Sequence, residues 1–182
     1  MSNEMLIRCC APTMASLKTG NMFNCPFRSR EEMTAELRKL NRRLTCKGLR
    51  ILPLKWSEGH ALVYLYRPKM LERDLQNDLA SRLLYECGYP CGSPNECIVR
   101  LISRLRSGHG FPHEVGLFLG YPPEDVDGFM HRKNEYKLSG IWKVYSNPES
   151  AEKQFARCRH CTEVYLRRYR QGYTLDRLTV TA

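Results

Sequence analysis

The segment 111–129, FPHEVGLFLGYPPEDVDGF, constrains the fold more than any other part of this chain. Pro112 suits the first turn of a helix, where its missing N–H costs no hydrogen bond, so a short helix is predicted to begin there. Gly120 predicts the end of that helix, and residues 121–123 cannot continue it because proline biases its predecessor away from helix. The acidic residues 124–125 then predict the start of a second short helix.

His113 and Glu114 fall in the predicted first turn, beside the free N–H groups of the helix start. Neighbouring residues on a helix point about 100° apart, so each of the two needs its own partner. Two interpretations are open: both are structural ties, or His113 is a general base or metal ligand with Glu114 beside it in a pocket. Position 117 is leucine, so the H-E-x-x-H signature of zinc proteases is absent.

The same segment resembles the hallmark of a bacterial domain family of unknown function, seen mostly in anaerobic Firmicutes, F-P-H-E-[IV]-G-[LI]-F-L-G-Y-P-x-E-D-V-x-G-F. The resemblance implies a single-domain cytoplasmic protein of an anaerobe, and it supplies no activity. The further matching positions are residues 11–13, Lys18, residues 140–145, Phe155, Cys161 and residues 172–175.

Length and composition fit one domain over residues 1–182. No apolar run approaches the length needed to cross a bilayer, and the first residues are too short and interrupted for a signal peptide. A soluble cytoplasmic protein is therefore expected. Nine cysteines, an odd number, favour reduced thiols over a disulfide framework.

Local signals predict an α+β fold with a small sheet of about four strands, including one hairpin, and about five to six helices. A capping box at Ser29 opens a helix over residues 29–47, and a second box opens another helix at Ser93. The opening helix is predicted to be interrupted at Pro12. The other predicted elements are a short strand over 21–27, the hairpin strands 49–56 and 61–66 with an irregularity at Pro53, a helix over 68–87, a strand over 136–145 and a last helix over 147–170.

Two thiols, Cys158 and Cys161, are spaced i,i+3 within the last predicted helix and therefore share a face. That spacing allows both to bind one metal ion, with Cys87, Cys91 and Cys97 as further ligands. The alternative is that they are ordinary packed or surface thiols, since no second C-x-x-C accompanies them.

The net charge of +10 fits an anionic partner. The positive residues are densest in the last predicted helix, where cations alternate with tyrosines. This pattern suggests a helix face that binds along a phosphate backbone. A solvated helix face is the alternative, because no known nucleic-acid-binding motif accompanies the charge. The candidate arginines are Arg157, Arg159, Arg167, Arg168 and Arg170.

Lys18 is a candidate contact for a phosphate or carboxylate, and the alternative is a surface lysine. Trp142, Lys143 and Tyr145 are candidate walls of the same pocket, and the alternative is that they pack within a strand. We therefore expect a pocket at residues 112–114 that binds a small anionic ligand or a metal-containing cofactor, with acid–base chemistry as an option. The alternatives are a nucleic-acid- or ribosome-associated module and a non-catalytic adaptor. The identity of any cofactor and the oligomeric state do not follow from these residues.

Overall fold

The computed structural model describes residues 1–90, 92–107 and 110–181. The chain divides into two compact units, Met1–Lys69 with Cys158–Ala182, and Met70–Arg157. The helices are α1 (Asn3–Met14), α2 (Arg30–Leu44), α3 (Pro68–Leu75), α4 (Asp78–Glu86), α5 (Pro94–Arg106), α6 (Val115–Phe118), α7 (Pro123–His131), α8 (Pro148–Arg170) and α9 (Leu175–Leu178). The strands are β1 (Gly20–Pro26), β2 (Arg50–Ser57), β3 (His60–Tyr66), β4 (Leu138–Ser139) and β5 (Lys143–Val144), and Thr45–Lys47 forms a 3-10 turn.

The first unit contains an antiparallel sheet in the order β1-β3-β2. The predicted hairpin is confirmed as β2 and β3, with Ser57 opposite His60. The pairing shifts register between Pro53 and Lys55, which confirms the predicted irregularity on an edge strand. Ala61, Val63 and Leu65 alternate along β3 and pack into the core with α1, α2 and α9.

Helix starts follow the local sequence closely. The Ser29 hydroxyl accepts a hydrogen bond from Glu32 N at 3.1 Å, and Ser93 and Glu96 form a complete capping box. The single helix predicted over residues 68–87 is wrong, because Asn77 starts a new helix. Its Oδ1 accepts from the N–H groups of Leu79 and Ala80.

The interruption predicted at Pro12 is also wrong, since α1 runs through that residue to Met14. Pro12 lies near the end of the helix, where its carbonyl accepts from Leu17 N at 2.9 Å. A proline in this position removes one helical hydrogen bond and leaves the rest of the helix in place.

In the second unit, α7 lies beside the short β4–β5 hairpin and α6 packs against α7. A single strand over 136–145 is therefore wrong: the chain reverses between Ser139 and Lys143. Trp142, Val144, Ala151 and Phe155 form a small apolar core below the hairpin.

The α+β class is confirmed, with two sheets, of three and two strands, rather than one sheet of about four. Within the described ranges, no helix is long and apolar enough to cross a membrane. The assignment of residues 1–182 to one domain stays a prediction.

Candidate functional site

The second unit contains a pocket of about 420 Å³ among α6, α7 and β5. This volume lies within the range of about 300–1,000 Å³ that small-molecule sites commonly have. The lining is mostly apolar and rich in aromatic rings. It consists of Phe111, Pro112, His113, Val115, Gly116, Leu119, Tyr121, Asp125, Val126, Phe129, Trp142 and Lys143.

Two glycines shape the wall that α6 contributes. Gly120 has φ +72°, a left-handed conformation that ends α6 as predicted, and Tyr121 N donates to Gly116 O at 3.0 Å. A Cβ at Gly116 would lie 2.8 Å from Val126 Cγ2 and 3.0 Å from Tyr121 Cδ2. Gly116 therefore allows the close approach of α6, α7 and the Tyr121 ring.

His113 lines the pocket and is solvent-exposed. It lies in a turn just before α6, not inside a helix that begins at Pro112 as predicted. Its ring meets Phe129 edge-on, with the centroids 4.9 Å apart. Among the described residues its ring has no hydrogen-bond partner.

Lys143 brings a second polar group to the same ring. Its ammonium lies 5.7 Å from the Phe129 centroid and 4.6 Å from the Tyr136 centroid. Across the part of the chain that the structure describes, no carboxylate lies within ion-pair distance of this ammonium. His113 and Lys143 therefore both contact the Phe129 ring and contribute polar groups to a mostly apolar lining.

Asp125, at the start of α7, is buried and holds the hairpin in place. Its Oδ2 accepts from Trp142 Nε1 at 2.7 Å, and its Oδ1 accepts from Tyr145 N and Ser146 N, both at 2.8 Å. Three donors satisfy this carboxylate. Lys143 sits between these anchored residues, so Asp125 positions it. The sequence showed only an acid at a helix start.

Glu114 is buried and makes its contacts away from the pocket lining. Its Oε1 accepts from Tyr89 Oη at 2.9 Å and lies 2.6 Å from Arg104 Nε. That Nε has no hydrogen-bond partner of suitable angle among the described residues, so the contact is an ion pair only. Burial, followed by the Glu114 charge, raises the pKa of Tyr89 far above its usual value. The catalytic role of Glu114 stays a prediction; its observed contacts are structural.

Lys18 lies in the first unit and is not among the residues that line this pocket. It is 4% exposed. Burial lowers its pKa to about 8, although the thiols of Cys158 and Cys10 act in the opposite direction. Its role as a ligand contact stays a prediction.

The two aromatic candidates have different positions. Trp142 lines the pocket, stacks on Tyr121 with centroids 4.8 Å apart, and meets Phe155 edge-on at 4.5 Å. Tyr145 does not line it. Its ring packs against Gly128, where a Cβ would clash with it, and its hydroxyl donates to Lys133 O at 3.0 Å. Of the predicted site residues, the structure therefore brings His113 and Trp142 to one cavity, together with Lys143.

The five candidate arginines of α8 are all exposed. Successive helical residues turn by about 100°, which places Arg157 and Arg168 on one side and Arg159 and Arg170 about 200° away. Arg170 also lies 3.9 Å from a Glu4 carboxylate oxygen. The arginines are thus spread around the helix, and their binding to nucleic acid stays a prediction.

Cys158 and Cys161 are both buried, and burial raises the pKa of Cys161 to about 11. Within the described ranges, no group of three or more His, Cys, Asp or Glu side chains is placed to hold a metal ion. Cys91, named with Cys87 and Cys97 as a further ligand, lies outside the described residues. The metal site stays a prediction.

A family model described as "Protein of unknown function (DUF3793)" matches residues 6–179. No curated protein and no protein of solved structure matches the chain. The match spans both compact units and includes all of the pocket lining.

Proposed function

Since the chain belongs to DUF3793, a family described only as proteins of unknown function, we propose its function from geometry: it binds a small amphipathic anion in the pocket at His113 and Lys143. The observation that carries the proposal is the Lys143 ammonium. It lies over two aromatic rings beside an apolar cavity of about 420 Å³, with no carboxylate partner among the described residues.

The chemistry of the lining favours a ligand with one charged end. A carboxylate or similar anion gains a charge-assisted hydrogen bond from an ammonium, and this bond is stronger where the surroundings exclude water. Away from Phe129, the polar groups are already used: Trp142 Nε1 donates to Asp125, and Tyr121 Oη donates to Ile141 O at 3.3 Å. The remainder of the ligand is therefore apolar.

A metal-containing cofactor has less support at this pocket than a small anion. His113 is a possible single ligand, whereas Asp125, the other ligating type in the lining, already accepts three hydrogen bonds. If the pocket also performs acid–base chemistry, His113 is the group that would move the proton, because Glu114 pairs with Arg104 elsewhere.

A cytoplasmic location in an anaerobic bacterium belongs to the same proposal. Eight cysteines of the described chain form no disulfide, which fits a reducing compartment. The alternatives, a nucleic-acid-binding module through α8 and a non-catalytic adaptor, rest on exposed charge and thiols without a defined cavity.

The proposal is tested by calorimetric titration of hydrophobic monocarboxylates against their neutral amides. We expect the wild type to bind the acid about tenfold more tightly than the amide, the difference between a charged and a neutral hydrogen bond. Lys143→Gln should abolish this preference. The control is Lys153→Gln, which removes an exposed lysine of the same unit outside the pocket.

Equal binding of acid and amide by the wild type, or no binding of either, would contradict the proposal. The nucleic-acid alternative predicts a salt-dependent gel shift with an RNA oligonucleotide. A shift that is lost in Arg167→Glu/Arg168→Glu and kept in Lys143→Gln would favour that alternative.

A further inference from the structure

The side chains that line the pocket differ in how much of their surface is accessible to a ligand. Val115, Val126 and Trp142 are 7%, 3% and 7% exposed, so they support the wall but offer little surface to a ligand. Among the apolar lining residues, the side chains that remain accessible are Phe111, Leu119, Tyr121 and Phe129. Three of these four are aromatic.

Two of these rings, those of Tyr121 and Phe129, make oriented contacts with neighbouring rings. Tyr121 is stacked on Trp142 with 28° between the ring planes, and its hydroxyl is tied to Ile141 O. Phe129 meets the His113 ring edge-on, at 90° between the planes. A ring that is already packed and hydrogen-bonded, as Tyr121 is, loses little conformational freedom when a second ring packs on it, which favours binding of a rigid partner.

Phe111 is 56% exposed, the most exposed apolar side chain of the lining. An exposed phenylalanine beside a cavity leaves apolar surface in water, and a ligand that covers it recovers the hydrophobic contribution. Beyond buried area, a well-oriented aromatic pair improves affinity by roughly two- to tenfold.

We infer that the apolar part of the ligand is a planar aromatic ring system, so that the pocket binds an aromatic monoanion. This inference rests on the proposed function and adds the class of the apolar group. In this arrangement the anionic substituent contacts Lys143 and His113, and the ring packs on Phe111, Tyr121 and Phe129.

The test compares 2-naphthoate with decahydronaphthalene-2-carboxylate, which has the same carbon skeleton and charge but no aromatic ring. Calorimetric titration of the wild type should give at least about a tenfold lower dissociation constant for 2-naphthoate. Phe111→Leu and Phe129→Leu keep an apolar side chain at each position, and each should reduce the ratio between the two ligands. Tyr85→Leu is the control, because Tyr85 is 69% exposed in the same unit and outside this pocket.

The two proposals fail in different ways. Equal affinity for the two acids, or tighter binding of the saturated acid, overturns the aromatic class while the anion-binding pocket stands. Absence of binding by both acids, or equal binding of 2-naphthoate and 2-naphthamide, overturns the proposed function itself. If neither phenylalanine substitution changes the ratio of the two dissociation constants, any preference for the aromatic acid arises at a different surface, and the inference is overturned.

Discussion

Lys18 in the first unit and Lys143 in the second show two opposite uses of a lysine near apolar side chains. Lys18 is buried beside thiols, and burial lowers its pKa to about 8. Lys143 is only partly buried and lies over the rings of Phe129 and Tyr136, at the edge of a cavity. Burial of Lys18 therefore acts on the free energy of unfolding, whereas Lys143 is the cation on which the proposed ligand binding depends.

Arg67 is the clearest buried cation of the first unit. It is 1% exposed, and its guanidinium donates to the carbonyls of Thr13, Met14, Lys47 and Val180 at 2.8–3.2 Å. Desolvation lowers the pKa of this group. Four carbonyl partners join the end of α1, the 3-10 turn and the C-terminal segment, so the cation is used entirely for structure.

The largest expected effect is at Arg67. Arg67→Met should lower the free energy of unfolding by about 3–5 kcal/mol, because buried carbonyls lose their donors. Chemical denaturation measures this change, with exposed Arg50→Met on β2 as a control expected within about 0.5 kcal/mol of wild type. A loss below about 1 kcal/mol would mean that water replaces the guanidinium and that the site is not closed.

Lys18→Met tests the burial of Lys18 through the pH dependence of the free energy of unfolding. Between pH 8 and 10.5 the unfolded lysine holds a proton that the folded one lacks, so this group makes wild type more stable as pH rises. The stability of wild type minus that of the variant should increase by about 2–4 kcal/mol over this range. Subtracting the variant removes the opposite effect of Cys161, whose raised pKa makes stability fall from about pH 9 to 11.

Denaturation curves at pH 7, 8.5 and 10 for both proteins provide the measurement. A difference that does not change with pH would place the Lys18 ammonium in contact with solvent and remove its contrast with Lys143.

Asp125→Asn tests whether Lys143 is held in place. An asparagine offers one acceptor oxygen where three N–H groups now donate to a carboxylate, so one or more donors lose their partner. We expect a loss of about 1–3 kcal/mol in stability and, in the folded variant, at least about tenfold weaker binding of 2-naphthoate. Asp127→Asn on the same helix is the control and should leave stability and affinity nearly unchanged. Unchanged affinity in Asp125→Asn would mean that the position of Lys143 does not depend on Asp125.

The smallest effect is expected at His113. His113→Gln should weaken 2-naphthoate binding only about two- to fivefold, because the glutamine amide can still donate a hydrogen bond to the carboxylate. Stability should not change, because the side chain is exposed. Exposed His131→Gln is the matched control. If His113→Gln abolishes binding, the imidazole rather than Lys143 is the main anion contact.

Local signals predicted the helix starts at Ser29 and Ser93, the hairpin and the end of α6 at Gly120, because each depends on residues within a few positions. The break at Asn77 was present in the sequence as a helix-capping residue but was outweighed by the leucine pattern of residues 68–87. The reversal between β4 and β5 was missed because an apolar segment alternates in a similar way in one strand and in a tight hairpin.

The sequence predicted only part of the site. His113 and Trp142 line the cavity, but the partners of Glu114 are Tyr89 and Arg104, 25 and 10 positions away, and no local pattern pairs them. Likewise, Asp125 meets donors 17–21 positions further along the chain. Such contacts depend on tertiary packing, which periodicity does not encode.

One wall of the cavity comes from residues 111–129, and the other comes from Trp142 and Lys143. The hydrogen bond between Asp125 and Trp142 joins these two walls. The cavity is therefore absent from any state in which the β4–β5 hairpin has detached, and such a state is not expected to bind the proposed ligand. An occupied site should slow amide hydrogen exchange at Tyr145 and Ser146 more than elsewhere in the second unit, because their N–H groups are released only when that hairpin opens.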